Sequence, residues 1–160
     1  MEQLYKRETT CAFTGHRYIP ADLRENLRSA LQKAIAEHIS RGVTTFISGG
    51  ALGFDTLAAQ CVLQAREKNA DISLVMMLPC RDQSAHWGYA DRLAYEELLK
   101  VADDIYFLNE RYVTGCMHQR NKVMVKQSGY CIAYFDGKPG GTAHTVALAK
   151  EQGLKIQNLY

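Results

Sequence analysis

The sequence predicts an α/β fold in three layers, a mostly parallel sheet with helices covering both faces. Two observations predict it. Short β-branched and aromatic runs alternate along the chain with longer stretches whose apolar residues recur at helical spacing. One unit shows the pattern at its clearest. Val43 to Ile47 has the composition of a central strand, Gly49, Gly50 and Gly53 then break the chain, and Phe54, Leu57, Ala58, Cys61 and Val62 recur as one helix face. Parallel neighbours need such crossovers, and the crossovers are right-handed.

Taken in order, Thr9 to Thr14 reads as the first strand, with Cys11 and Phe13 buried. It ends in Gly15-His16-Arg17-Tyr18, and Pro20 suits the first turn of a helix. Leu23, Leu27, Ala30, Leu31, Ala34, Ile35 and Ile39 give that helix one apolar face, and Gly42 ends it. The second strand and its glycine loop follow, with a helix to about Asn69. Ile72 to Leu78 is a third strand, stopped by Pro79. Cys80 to Gly88 is polar and irregular and holds the single tryptophan, Trp87. A helix from Tyr89 to Val101, a strand from Asp104 to Leu108, a loop to Gly115 and a helix from Met117 to Gln127 come next. Tyr130 to Phe135 is the fifth strand, and Asp136 to Gly141 is a second glycine turn. A helix from Thr142 to Gln152 ends at Gly153, and Leu154 to Asn158 is the last strand.

One domain over residues 1–160 suits this length, with no internal repeat or linker. The net charge of +2, from 19 basic and 17 acidic residues, gives no general argument for nucleic acid. Weak or no nucleic-acid binding is therefore expected. No apolar run approaches the roughly 20 residues of a membrane span, and Met1 to Arg7 lacks a signal-peptide core, which predicts a cytoplasmic protein without a membrane partner. The five cysteines form no C-x-x-C pair and read as buried, reduced thiols. The five histidines are scattered, so neither a structural metal nor a required cofactor is expected. A homo-oligomer is compatible with all of this.

The chemistry concentrates after the strands, where ligands of parallel sheets bind. A strand, a glycine loop and a helix start make an anion site: glycines let the backbone approach, and the free N–H groups of the first helical turn point at the ligand. Gly49, Gly50 and Gly53 form one such loop, and Gly140 and Gly141 another. Arg17 reads as a planar phosphate clamp, or as the partner of a surface carboxylate. His16 beside it reads as a ligand contact or a satisfied structural group. Ser48 and Thr142 can donate to phosphate oxygens or cap helices. Asp55 would repel phosphate, so it is read as accepting from a ribose hydroxyl or a base amine, or as favouring the positive end of its helix. Trp87 reads as a base platform or as packing.

Four stretches look made for one site: Thr14-Gly15-His16-Arg17, Ser48 to Asp55, Arg120-Asn121, and Gly140-Gly141-Thr142-Ala143-His144-Thr145. Together with Pro79, Gln83 and Trp87 in a P-x-x-x-Q-x-x-x-W segment, they resemble the SLOG superfamily, which includes DNA-processing protein A and the LOG proteins. Within it, the small YpsA/YoqJ-like group of bacteria and their phages is the nearest in pattern. Arg120-Asn121 resembles the R-N of DNA-processing protein A, and Gly141 to Thr145 its G-S-x-x-T helix start. The resemblance spans Thr10 to Asn158. It implies a Rossmann-like fold with a nucleotide or nucleotide-derived ligand in a glycine-lined cleft, touched by Thr14, Gly15, His16, Arg17, Ser48, Gly49, Gly50, Gly53, Asp55, Trp87, Arg120, Asn121, Gly140, Gly141, Thr142 and Thr145.

Three functions fit this pattern. The first is binding or sensing of a phosphorylated, nucleotide-derived small molecule. The second is LOG-like hydrolysis of a nucleoside monophosphate at its N-glycosidic bond, which needs a carboxylic acid near the oxocarbenium-like transition state. The LOG pattern is P-G-G-x-G-T-x-x-E. Pro139-Gly140-Gly141 begins in the same way, but Ala143 and His144 replace the Gly-Thr and Ala147 stands in place of the glutamate. Asp55 is then the one substitute, and binding without turnover is the first expectation. The third is single-stranded DNA binding like that of DNA-processing protein A, with Lys122, Lys126, Arg120, Arg111 and Lys138 as a partial basic patch.

Overall fold

The computed structural model describes residues 1–160. Six strands form one sheet: β1 (Thr10–Gly15), β2 (Thr45–Ser48), β3 (Ser73–Leu78), β4 (Asp104–Phe107), β5 (Tyr130–Tyr134) and β6 (Lys155–Asn158). Their order is β4-β3-β2-β1-β5-β6 and every pairing is parallel. The helices are α1 (Arg24–Ser40), α2 (Phe54–Lys68), α3 (Tyr89–Val101), α4 (Cys116–Gln127) and α5 (Gly141–Glu151). The expected Rossmann-like, three-layer architecture is present.

The order of the strands follows from handedness. From β1 to β4 the chain steps in one direction, so right-handed crossovers put α1, α2 and α3 on one face. It then returns across the sheet through α4 and steps the other way through α5, which puts those two helices on the opposite face. Alternation along the strands serves both layers. Cys11, Phe13, Phe46, Leu74, Met76 and Leu78 join a cluster of 23 buried residues with α1, α2 and α3. Ala12, Ile47, Val75 and Met77 face the other way and pack on Met124 of α4. Val125, Cys131, Ala133, Val146, Ala149 and Leu154 form a third cluster around α5. Each fully buried large side chain contributes about 1.5–3 kcal/mol, so the first cluster carries most of the hydrophobic stabilisation.

Two local features differ from the sequence-based expectation. Pro20 precedes a separate 3₁₀ turn, Ala21–Leu23, and its carbonyl accepts from Leu23 N–H at 3.0 Å before α1 begins. A further 3₁₀ turn, Arg7–Thr9, leads into β1. All five cysteines are buried and unbridged. No helix is long and apolar enough to cross a membrane.

Candidate functional site

The reversal of direction lies between β1 and β5. The loops that leave their carboxyl ends therefore part company and open a crevice, the usual ligand position in such sheets. A cleft of about 390 Å³ lies there. Thr14, Gly15, His16 and Arg17 enter it from β1, and Ala51 and Asp55 from the β2–α2 loop and α2. Met117, His118, Arg120 and Asn121 come from the first turns of α4, and Gly141 and Thr142 from the start of α5.

The helix ends supply donors. Neither α4 nor α5 has a side-chain cap, because Gly115 and Gly140 stand at their N-cap positions. The N–H groups of Gly141, Thr142 and Ala143 find no acceptor within the protein. Such a turn receives anions.

Arg120 is the least ordinary side chain. It is only 4% exposed. Its Nε donates to Asn121 Oδ1 at 2.7 Å, one terminal nitrogen donates to the Gly49 carbonyl, and the other meets the Met117 sulfur at 3.9 Å. No carboxylate is ion-paired with it; the ion pairs of the molecule lie elsewhere. Burial and the nearby Arg17 both press its pKa down, against the pull of Asp55. A buried guanidinium without an ionic partner is costly unless something negative approaches it. Arg17, exposed at the mouth, makes no ion pair either.

Asp55 is 6% exposed on the first turn of α2 and accepts from Ala51 N–H at 3.3 Å. Burial pushes its pKa up to about 6, although Arg120, the Ala51 N–H and Arg17 all oppose the rise. The native state thus holds this proton more tightly than the unfolded chain. Its stabilising effect is complete below the usual carboxylate value of 3.8 and is lost as pH rises through about 6. Asp55→Asn removes the buried charge. The variant should therefore exceed the natural protein in stability by on the order of 3 kcal/mol at pH 8, with the gap closing toward pH 4. Denaturant unfolding at both pH values checks this; a gap independent of pH would refute it.

Several residues of the expected site turn away from the cleft. Ser48 is fully buried and ties the loop together: its hydroxyl donates to the Asp55 carbonyl at 3.0 Å and accepts from Gly50 N–H at 3.2 Å. Gly49 lies beneath Arg120, Gly50 packs toward Leu78, Met76 and Tyr95, and Gly53 lies against the Arg17 backbone. Thr145 donates to the Gly141 carbonyl at 3.1 Å within α5, and Gly140 sits outside the lining as the N-cap. Trp87 packs edge-on against Tyr95 at 5.2 Å, in the α1–α3 layer. His16 stays in the lining, but its ring is tied to the turn after β5: Nε2 accepts from Asp136 N–H at 2.9 Å, and Tyr134 and Tyr160 meet it edge-on. Phe13, Met117 and His118 line the cleft without having been expected there, and Ala51 lines it from within the expected Ser48–Asp55 stretch. His118 was legible in part, since it lies one helical turn before Asn121.

The profile of the YspA SLOG family matches residues 20–158. The chain belongs to that family. A UPF0398 protein of Halalkalibacterium halodurans is 28% identical over 79% of this chain and 68% of its own length. The SLOG chain is also similar to the SPbeta prophage-derived protein YoqJ of Bacillus subtilis, at 27% identity over 84% of each. DNA processing protein A shares the fold. The Streptococcus pneumoniae structure superposes with a TM-score of 0.67 at 15% identity, covering 93% of this chain. The Helicobacter pylori protein, whose structure describes a single-stranded DNA binding mode, gives 0.67 at 17% identity over 95% of this chain. This SLOG chain spans 49% and 65% of those two proteins.

Proposed function

We propose that the cleft binds a phosphorylated, nucleotide-derived small molecule. The observation that carries this reading is the convergence of unpaired Arg120 and Arg17 with the free N–H groups of α5 on one crevice. The phosphate sits between the two guanidinium groups and the α5 N-terminus, where charge-assisted bonds are strongest. Thr14, Asn121 and Thr142 offer hydrogen bonds to the remaining oxygens, and Asp55 accepts from a sugar hydroxyl. A panel of nucleotides in a thermal-shift assay should raise the melting temperature with concentration. Arg17→Ala should weaken the best ligand tenfold to a hundredfold, about 1.5–3 kcal/mol, with little change in stability because Arg17 is exposed. No stabilisation by any nucleotide at millimolar concentration would remove the proposal.

One observation favours hydrolysis as a second reading: Asp55 is a buried carboxyl in the cleft, with a pKa raised toward neutrality as a general acid requires. Against it, Ala147 is exposed on α5 and Asp55 is the single carboxylate in the lining. We expect no free base when nucleoside monophosphates and their deoxy forms are incubated with the protein and separated by chromatography. Base release that Asp55→Asn abolishes would establish the hydrolase instead. Polynucleotide binding, described for the Helicobacter pylori neighbour, is expected here to be weak and salt-sensitive, since few cations are available to neutralise phosphates.

A further inference from the structure

His118 stands in the wall of two cavities. On one side is the cleft; on the other is an open groove of about 730 Å³ that runs along α4, lined by Gln119, Lys122, Val123, Lys126 and Leu108 among others. The charge of this helix is one-sided. The segment Cys116 to Gln127 carries Arg120, Lys122 and Lys126 and no acidic residue, in a chain whose charges nearly balance. His118, Lys122 and Lys126 recur every four residues, so they share one face, with Lys122 and Lys126 about 6 and 12 Å farther along the axis than His118. Like charges at that spacing cost a few tenths of a kcal/mol, and no carboxylate is paired with any of them. Lys126 donates to the Met1 carbonyl at 2.6 Å, which leaves it further donors.

We infer that cleft and groove are two stations of one site, built for a ligand whose two phosphate groups are separated by a nucleoside: the chemistry of a phosphodiester-linked dinucleotide, free or at the end of a strand. The inference rests on the nucleotide reading of the cleft. The first phosphate occupies the Arg17–Arg120 station. The chain of the ligand passes His118 and Gln119, Leu108 and Val123 floor the groove under its apolar parts, and the second phosphate meets Lys122 and Lys126. An acidic peptide would fit the lysines but would leave the α5 N-terminus and the two arginines without the compact, multiply charged group they converge on.

Isothermal titration with a 5′-phosphorylated thymidine mononucleotide, the corresponding dinucleotide and a longer thymidine strand tests this. The protein is compared with its Lys122→Glu/Lys126→Glu variant, and with Lys122→Gln/Lys126→Gln should the reversal disturb folding. The dinucleotide should bind at least about tenfold more tightly than the mononucleotide. Either variant should erase that gain, lower the salt dependence by about 0.7 in log–log slope, the share of one phosphate, and leave mononucleotide affinity unchanged. If the longer strand gains nothing more, the ligand is a free dinucleotide; if it gains further and the variants remove that too, it is a strand end. Equal affinity for mono- and dinucleotide, or a gain that survives both variants, overturns the two-station site while the cleft reading stands. Dinucleotide binding without measurable mononucleotide binding also overturns the two-station site, because the cleft then holds no phosphate of its own. Binding of neither defeats both.

Discussion

Gly53→Ala should destabilise the protein by about 3 kcal/mol or more. Gly53 holds φ at 75° and ψ at −115° just before α2, a conformation that side chains rarely tolerate. A Cβ there would also collide with the carbonyl group of Arg17, which is backbone and cannot swing aside. The collision falls where the molecule is least able to yield, because Phe54 N–H donates to the His16 carbonyl at 3.1 Å and locks the two loops together. Chemical denaturation of the variant measures the effect. A loss below about 1 kcal/mol, the ordinary cost of a point substitution, would mean that the loops separate easily and that the cleft wall is not rigid.

The second large effect is on binding. Arg120→Met, which keeps the apolar stem but removes the charge, should cost at least a hundredfold in affinity for the nucleotide ligand, about 3 kcal/mol. This exceeds the Arg17 effect because Arg120 is buried, where a charge-assisted bond meets little competition from water. The same substitution removes the strongest pull holding the Asp55 pKa down, so the carboxyl should titrate above 6 in the variant. Calorimetry reads the first consequence and an NMR titration of the Asp55 side chain the second. Unchanged affinity would place the ligand away from Arg120; an unchanged titration would show that the two groups do not share one electrostatic environment.

The architecture was legible because strand composition and helical periodicity disagree so clearly along this chain. Helix boundaries such as Tyr89–Val101 follow from Gly88 and the apolar spacing alone. Part of the cleft was legible for a similar reason, since Arg17 follows a strand and Asp55 opens a helix, whereas Arg120-Asn121 was legible only through the resemblance to the R-N of DNA-processing protein A. The rest depends on which way a side chain points. Ser48 and Gly50 belong to the right loop but turn inward, since the chain curls under itself to reach α2. Trp87 stands after the third strand, yet α3 draws it to the far layer. His118 lies on an exposed helix face, which sequence treats as solvent until β1 and α5 are brought beside it.

The unequal division of the core has a kinetic consequence. One wall of the crevice belongs to α2, anchored in the cluster of 23 residues, whereas the other belongs to α4 and α5, held by clusters of five and six. Amide exchange in α5 and β6 should therefore proceed by local opening, at lower free energy than global unfolding. A ligand that joins α2 to α5 closes that route, because opening must first release it. The protection factors of α5, more than its shape, would then report whether the crevice is occupied.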